Sequence, residues 1–201
     1  MPGVAAVLLA AGESSRMGQP KPLLLWGDVP LVRYQVESLA ESGAAPIVVV
    51  LGPTTLDAEA CVTDISNVRT VVNQRAPEGK TTSVRLGVSH VDADADSILL
   101  LAVDQPRTPA IIRSVIEVHL AGNAHVTHPT YEGRGGHPIV FHASLRAELL
   151  AISEERQGIR EVVGRHLDSL QRVELGDPMV RLDINTLEDY RAALERYVRA
   201  G

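Results

Sequence analysis

The sequence predicts a three-layer α/β/α fold of the Rossmann-like type with a mostly parallel sheet, and three observations carry that expectation. Short apolar, β-branched runs alternate with stretches of helical spacing through the first half of the chain, as parallel strands joined by helical crossovers require. Aromatics make up only 3% of the residues, so the core has to come from Val, Leu, Ile and Ala, the composition of strands buried on both faces. A glycine-punctuated, cation-bearing loop follows the first apolar run directly, at the sheet edge where α/β folds hold phosphates.

Val4 to Leu9 is the first strand: it is too short to span a membrane, and no Lys or Arg precedes it as in a signal peptide. Runs at 46–51, 68–72 and 97–103 are the next strands, while 31–42, 55–62 and 82–89 carry helical spacing. Beyond residue 108 the order is mixed. A helix runs to about 120, a strand covers 124–128, a glycine-rich loop at 131–136 is the best candidate for a mobile acceptor-facing segment, and a strand follows at 138–141. Helices near 143–151 and 158–166, strands at 170–174 and Val180 to Leu182, and a helix at 186–199 complete the chain. No repeat or linker divides it, so one domain over 1–201 is expected.

The net charge of −6 and the absence of a dense Lys/Arg run argue against nucleic acid or an anionic membrane as the main partner. Cys61 is the single cysteine, so no intrachain disulfide forms and a reducing cytoplasm is compatible. Within the 55–62 helix it reads as core filler.

The loop after the first strand carries the strongest chemical signal. Gly12 and Gly18 let backbone amides approach an anion closely, and Arg16 and Lys21 add full charge beside them, a combination suited to a polyphosphate. The dinucleotide fingerprint is excluded, because Ser14 and Ser15 follow Gly12 where further glycines are needed. Glu78-Gly79-Lys80-Thr81-Thr82 imitates the end of a P-loop, but Gln74 stands where its first glycine belongs, which keeps a P-loop hydrolase only as a third reading.

Asp104 closes the buried run Ser97 to Val103, on the carboxyl edge where ligands of such sheets sit, and can hold Mg²⁺ against a triphosphate; its alternative role is a helix cap. Asp183, before the last helix, is the second candidate carboxylate, with Asn185 as a neutral ligand or the cap. Asp92, Asp94 and Asp96 resemble a calcium loop, yet Ser97 and Val103 occupy the positions that need Gly and Glu, so a solvated turn is expected. His125 and His128, three apart in a strand, point to opposite faces and are poor joint ligands.

In Leu9-Ala10-Ala11-Gly12, Ser15-Arg16-Met17-Gly18 and Lys21 the chain resembles the MobA-like nucleotidyltransferases, and within them the molybdenum-cofactor cytidylyltransferase branch. Further matches follow in the family's order: Gly79 with Ser83, Val103 to Pro106, Gly136-His137-Pro138, and Asp183 to Thr186 with Glu188-Asp189. The resemblance implies a nucleotidyltransferase fold and Mg²⁺-dependent transfer of a nucleoside monophosphate to a phosphate of a pterin-type cofactor, with pyrophosphate released and a molybdoenzyme as a further partner. Ala11 leans the nucleotide to CTP, because guanylyl-transferring relatives usually carry Gly there. It implies Arg16 and Lys21 on the β- and γ-phosphates, Leu9 to Gly12, Gly79 and Ser83 around the nucleotide, Asp104 and Asp183 on the metal, and Gly136, His137 and Pro138 toward the acceptor. Three positions depart from the pattern: Gly135 replaces an Arg before Gly-His-Pro, with Arg134 one residue earlier; Gln157-Gly158 lacks a usual carboxylate; and Lys80 stands where a small or apolar residue is usual. Another nucleotide or acceptor on the same fold, or a non-catalytic chaperone for a molybdenum cofactor, are the alternatives.

Overall fold

A computed structural model describes residues 3–12 and 17–198. Strand β1 (Val4–Ala10) lies at the centre of an eight-stranded sheet, between β4 (Ile47–Leu51) and β6 (Ser97–Ala102), both parallel to it. Outward from β4 comes β5 (Val68–Val72), and beyond β6 come β9 (Ile139–His142), β7 (Val126–Tyr131) and β10 (Leu170–Glu174). Only β9 and the short β8 (Arg134–Gly135) run against the others, so the sheet is mostly parallel. Leu25–Trp26 and Val29–Pro30 form a separate small ribbon, β2 and β3.

Successive residues of β1 feed opposite faces, as the two-residue strand period dictates. Ala6, Leu8 and Ala10 pack with helices α1 (Leu31–Glu41), α3 (Pro109–Ala121) and α6 (Leu187–Tyr197). Ala5, Val7 and Leu9 pack with α2 (Lys80–Ser89), α4 (Arg146–Leu150) and α5 (Ile159–Arg165). That is the three-layer arrangement, with a core almost wholly aliphatic. Gly87 of α2 lies where a Cβ would come 2.3 Å from the Val7 side chain, so the glycine sets how closely that helix approaches the sheet.

Helix starts follow local chemistry. Thr108 caps α3 through its hydroxyl to the Ile111 amide, with Pro109 at the first helical position. Thr186 and Asp189 form a reciprocal capping box on α6. The caps are therefore Thr108 and Thr186, which frees Asp104 and Asn185 from that duty.

Three local expectations are corrected. Residues 56–61 form a 3-10 helix, because only Ala58 of the six is buried, too little apolar contact to hold an α-helix; Cys61 is half-buried at its end. Residues 178–181 form a 3-10 turn instead of a strand, started by Pro178 and by the Asp177 carboxylate accepting from the Met179 amide. The segment 131–136 is a hairpin: Glu132 and Gly133, both at positive φ, turn β7 into β8, and Glu174 accepts from both their amides and from the Thr130 hydroxyl. The turn is thus pinned where a mobile loop was expected. Among the phosphate-loop glycines described, Gly18 adopts left-handed φ, at 69°, and Gly12 does not.

Candidate active site

The site lies at the carboxyl ends of β1 and β6, the edge of a parallel sheet from which connecting loops rise. Two cavities lie there, and both are lined by Lys80. The smaller, about 310 Å³, is lined by Leu9, Ala11, Gly12, Lys21, Lys80, Ser83, Asp104 and Asn185. The larger, about 900 Å³, is bounded by Lys80, Gln105, Gly136, His137, Glu154, Arg160 and Asp183, with an aliphatic wall that includes Ile139, Ile159 and Val163.

Most of the residues singled out in sequence converge on these cavities. Lys21 donates to Asp104 Oδ2 at 2.9 Å, an ion pair partly shielded from water, with side chains 15% and 28% exposed. The strand period separates the first motif: Leu9 and Ala11 face the small cavity, while Ala10 is buried in the opposite layer. Among the described residues nothing lies within 4 Å of where a Cβ on Gly12 would stand. Ser83 accepts from the Asn73 side-chain amide at 2.8 Å. Gly79 lines neither cavity; its φ of 129° and the Glu154 carboxylate, 2.5 Å from any Cβ built there, explain why a glycine stands at that position. Arg16 lies outside the described residues.

Asp104 and Asp183 come from distant parts of the chain and are stitched together by polar contacts. The Ile184 amide donates to the Asp104 carbonyl at 2.8 Å, and Gln105 Nε2 donates to Asp183 Oδ1 at 2.8 Å. Gln35, fully buried on α1, fixes this loop from below by donating to the Gln105 carbonyl at 2.6 Å and accepting from the Arg107 amide. Asp104 keeps one carboxylate oxygen beyond its Lys21 bond and Asp183 one beyond its Gln105 bond, with the Asn185 amide nearby in the small cavity. That donor set is all oxygen, suited to a hard divalent cation completed by phosphate oxygens. Among the described residues no group of three or more His, Cys, Asp or Glu forms a metal cage.

Arg107 is the residue that sequence reasoning missed. Its side chain is fully buried, and its guanidinium donates to the carbonyls of Pro106, His137, Val180 and Leu182 at 2.7–2.9 Å. One side chain thereby joins the loop after Asp104, the loop of His137 and the segment that leads into Asp183. Burial pushes its pKa down to about 10, opposed by the surrounding carboxylates of Asp183, Asp104 and Asp177, so it stays charged at neutral pH. A lone Arg beside two prolines gives no sequence signal for this. Gln35 does give one, since it falls on the apolar stripe of Leu31, Val32, Val36 and Leu39.

The loop around Gly136 packs against Val180. A Cβ on Gly136 would lie 2.2 Å from the Val180 carbonyl oxygen, which also accepts from the His137 amide at 3.2 Å. The His137–Pro138 peptide is cis, and Pro138 is buried. Burial, reinforced by the charges of Arg107 and Lys80, holds the His137 imidazole neutral with its pKa pushed down to about 3. His137 therefore offers a hydrogen bond at neutral pH, not a charge. Arg134 is exposed on β8 and does not line the large cavity; the Gly135 that takes the place of the usual Arg leaves room for His128, whose ring would be 2.9 Å from a Cβ there. His128 borders this cavity, whereas the His125 ring lies 6.0 and 5.7 Å from those of His142 and His166, so the two histidines are separated. Asp92 pairs with Arg69 and Asp96 accepts from the Gly3 amide, which makes that acidic run a structural turn.

Residues 6–170 match the family described as the MobA-like NTP transferase domain. Nicotine blue oxidoreductase from Paenarthrobacter nicotinovorans is 27% identical, over 94% of this chain and 95% of that protein. Molybdenum cofactor cytidylyltransferase from Escherichia coli (strain K12) is 26% identical, over 98% of each. Among solved structures, Rv0371c from Mycobacterium tuberculosis H37Rv in complex with manganese superposes with a TM-score of 0.77 at 28% identity, covering 96% of this chain and 98% of that one. The chain belongs to the MobA-like NTP transferase family.

Proposed function

We propose that the protein transfers CMP from CTP to the terminal phosphate of a pterin-type molybdenum cofactor, releasing pyrophosphate, with Mg²⁺ as the supporting metal. The observation that carries this reading is the pair of cavities, one small and one large, that share Lys80 and are lined by Asp104 and Asp183 respectively. A hydrolase needs no second cavity of about 900 Å³, whereas a transferase has to hold an acceptor as large as a pterin. CTP is favoured by Ala11, which lines the small cavity at the position where guanylyl-transferring relatives usually carry Gly. The manganese found in the Mycobacterium tuberculosis relative supports a divalent metal, and the cytidylyltransferase from Escherichia coli supports the acceptor class.

Such a transfer needs no protein nucleophile, so positioning and charge neutralisation carry the catalysis. Lys21, already fixed by Asp104, and Arg16 hold the β- and γ-phosphates and stabilise the departing pyrophosphate. Asp104 and Asp183, with Asn185, hold the metal, which when bound supplies positive charge to the phosphates. Leu9, Ala11, Gly12 and Ser83 enclose the nucleotide; Gly136 and Pro138 shape the acceptor loop, and the neutral His137 orients the acceptor by a hydrogen bond. The cytoplasm, which supplies CTP, is the compartment this reaction calls for, and a molybdoenzyme is the destination of its product. Among the described residues no helix is long and apolar enough to cross a membrane.

Calorimetry with CTP, GTP, UTP and ATP, each with and without Mg²⁺, tests the nucleotide assignment. The reading requires selective, metal-dependent CTP binding that Asp104→Ala and Lys21→Ala both weaken. Binding of molybdopterin with no affinity for any nucleotide would replace it with a cofactor chaperone.

A further inference from the structure

Two anions have to meet in the proposed reaction, and their mutual repulsion is the barrier that the fold has to offset. Lys80 borders both the nucleotide cavity and the acceptor cavity, and it is the one cation of the described residues that does so. Arg160 lines only the larger cavity and Lys21 only the smaller, where it is held against Asp104. The Lys80 side chain makes no hydrogen bond or ion pair among the described residues, and its charge is felt at the His137 imidazole within the acceptor cavity.

The position is also electrostatically unfavourable in the free protein. Lys80 is the first residue of α2, where the exposed amides of the helix already present partial positive charge and a cation is disfavoured. The neighbouring Thr81 amide is occupied by the Glu154 carboxylate at 2.7 Å, so a carboxylate already rests at this helix end. Lys80 is exposed, so water solvates its ammonium in the free protein, and its place on the lining of both cavities makes it available to a ligand that brings negative charge.

We propose that Lys80 is a catalytic residue that contacts the acceptor's phosphate as it approaches the α-phosphorus, making this site selective for phosphomonoester acceptors over neutral alcohols. In that step an acceptor phosphate oxygen forms the new P–O bond, the bond between the α- and β-phosphates breaks, and its electron pair leaves with pyrophosphate. Lys80 gives up no proton; its charge offsets the repulsion between the two phosphates, a contribution that exists only when both are present. This role rests on the nucleotidyl-transfer reading above.

The test compares Lys80→Met and Lys80→Arg with the unaltered protein, using molybdopterin and CTP with Mg²⁺. Lys80→Met is expected to lower kcat/KM for molybdopterin about 100-fold, the scale of losing one charge-stabilising donor. Its Kd for CTP with Mg²⁺ should stay within about 2-fold, which separates acceptor chemistry from nucleotide binding. Its Tm should be unchanged or higher, because a cation leaves the helix N-terminus, and Lys80→Arg should retain most of the activity. Unchanged kcat/KM in Lys80→Met, a loss carried entirely by weaker CTP binding, or a lowered Tm that accounts for the lost activity would overturn the role. If the unaltered protein forms no cytidylylated product, the transfer reading itself falls and takes this role with it.

Discussion

Replacing Arg107 with Met removes the junction between the three segments that build the acceptor side of the site. Four carbonyls lose a charged donor, but the Val180 oxygen keeps the His137 amide at 3.2 Å, so those of Pro106, His137 and Leu182 are left without a partner among the described residues. Each orphaned carbonyl costs about 1–3 kcal/mol. Against this, the buried charge disappears; a pKa brought from 12.5 to about 10 corresponds to about 3 kcal/mol of relieved penalty. The middle of the first range less the second leaves a net loss of about 3 kcal/mol. Urea unfolding followed through the buried Trp26, the single tryptophan, reads this directly. Arg107→Lys should recover only part of the loss, because one ammonium cannot reach carbonyls spread around a planar guanidinium. Met within about 1 kcal/mol of the unaltered protein would show that the carbonyls find other donors and that Arg107 does not organise the loops.

Gly136→Ala should cost about 2–4 kcal/mol and raise the KM for the acceptor, since the new Cβ meets backbone at 2.2 Å and the loop has to move; an unchanged Tm and KM would contradict the packing described. Acid should destabilise the fold well above the carboxylate range. The His119 and His137 imidazoles, both held neutral by burial, have pKa values of about 4 and about 3. The unfolded chain takes up their protons from about pH 6.5 downward while the folded chain does not, so stability is full above that pH and falls as pH drops toward those folded values. About 5 kcal/mol is expected to be lost between pH 7 and 4.5, measured as the shift in urea midpoint. His119→Gln should flatten that slope, because His119 bridges the Ser97 and Thr127 hydroxyls in the core; a midpoint independent of pH over this window would contradict the burial of both rings.

Local information in the sequence reached as far as local physics governs the structure. The strand runs and helical stripes placed β1, β4, β6 and α1 within a residue or so, because apolar periodicity and burial are the same fact seen twice. The position of Asp104 at the end of a buried strand was readable from the apolar run before it, and the structure sets Lys21 of the loop after β1 against it. The misread segments were short. At 56–61 and 180–182 the outcome turned on caps, prolines and scant buried area, which a pattern of apolar letters does not weigh. Arg107, Glu154 and Gly52 were illegible for a different reason: each acts on a segment far away in sequence. Gly52, for instance, is explained by the Ala11 carbonyl, which a Cβ would approach to 2.7 Å. Only the folded chain brings β4 and the first loop that close.

The most direct test of nucleotidyl transfer follows the phosphorus. The protein is incubated with molybdopterin, Mg²⁺ and CTP labelled at either the α- or the γ-phosphate, and the products are separated. The account expects the α-label on the pterin product and the γ-label in pyrophosphate, with both signals lost in Asp104→Ala. Release of γ-label as inorganic phosphate, or a modified pterin that carries no α-label, would contradict it.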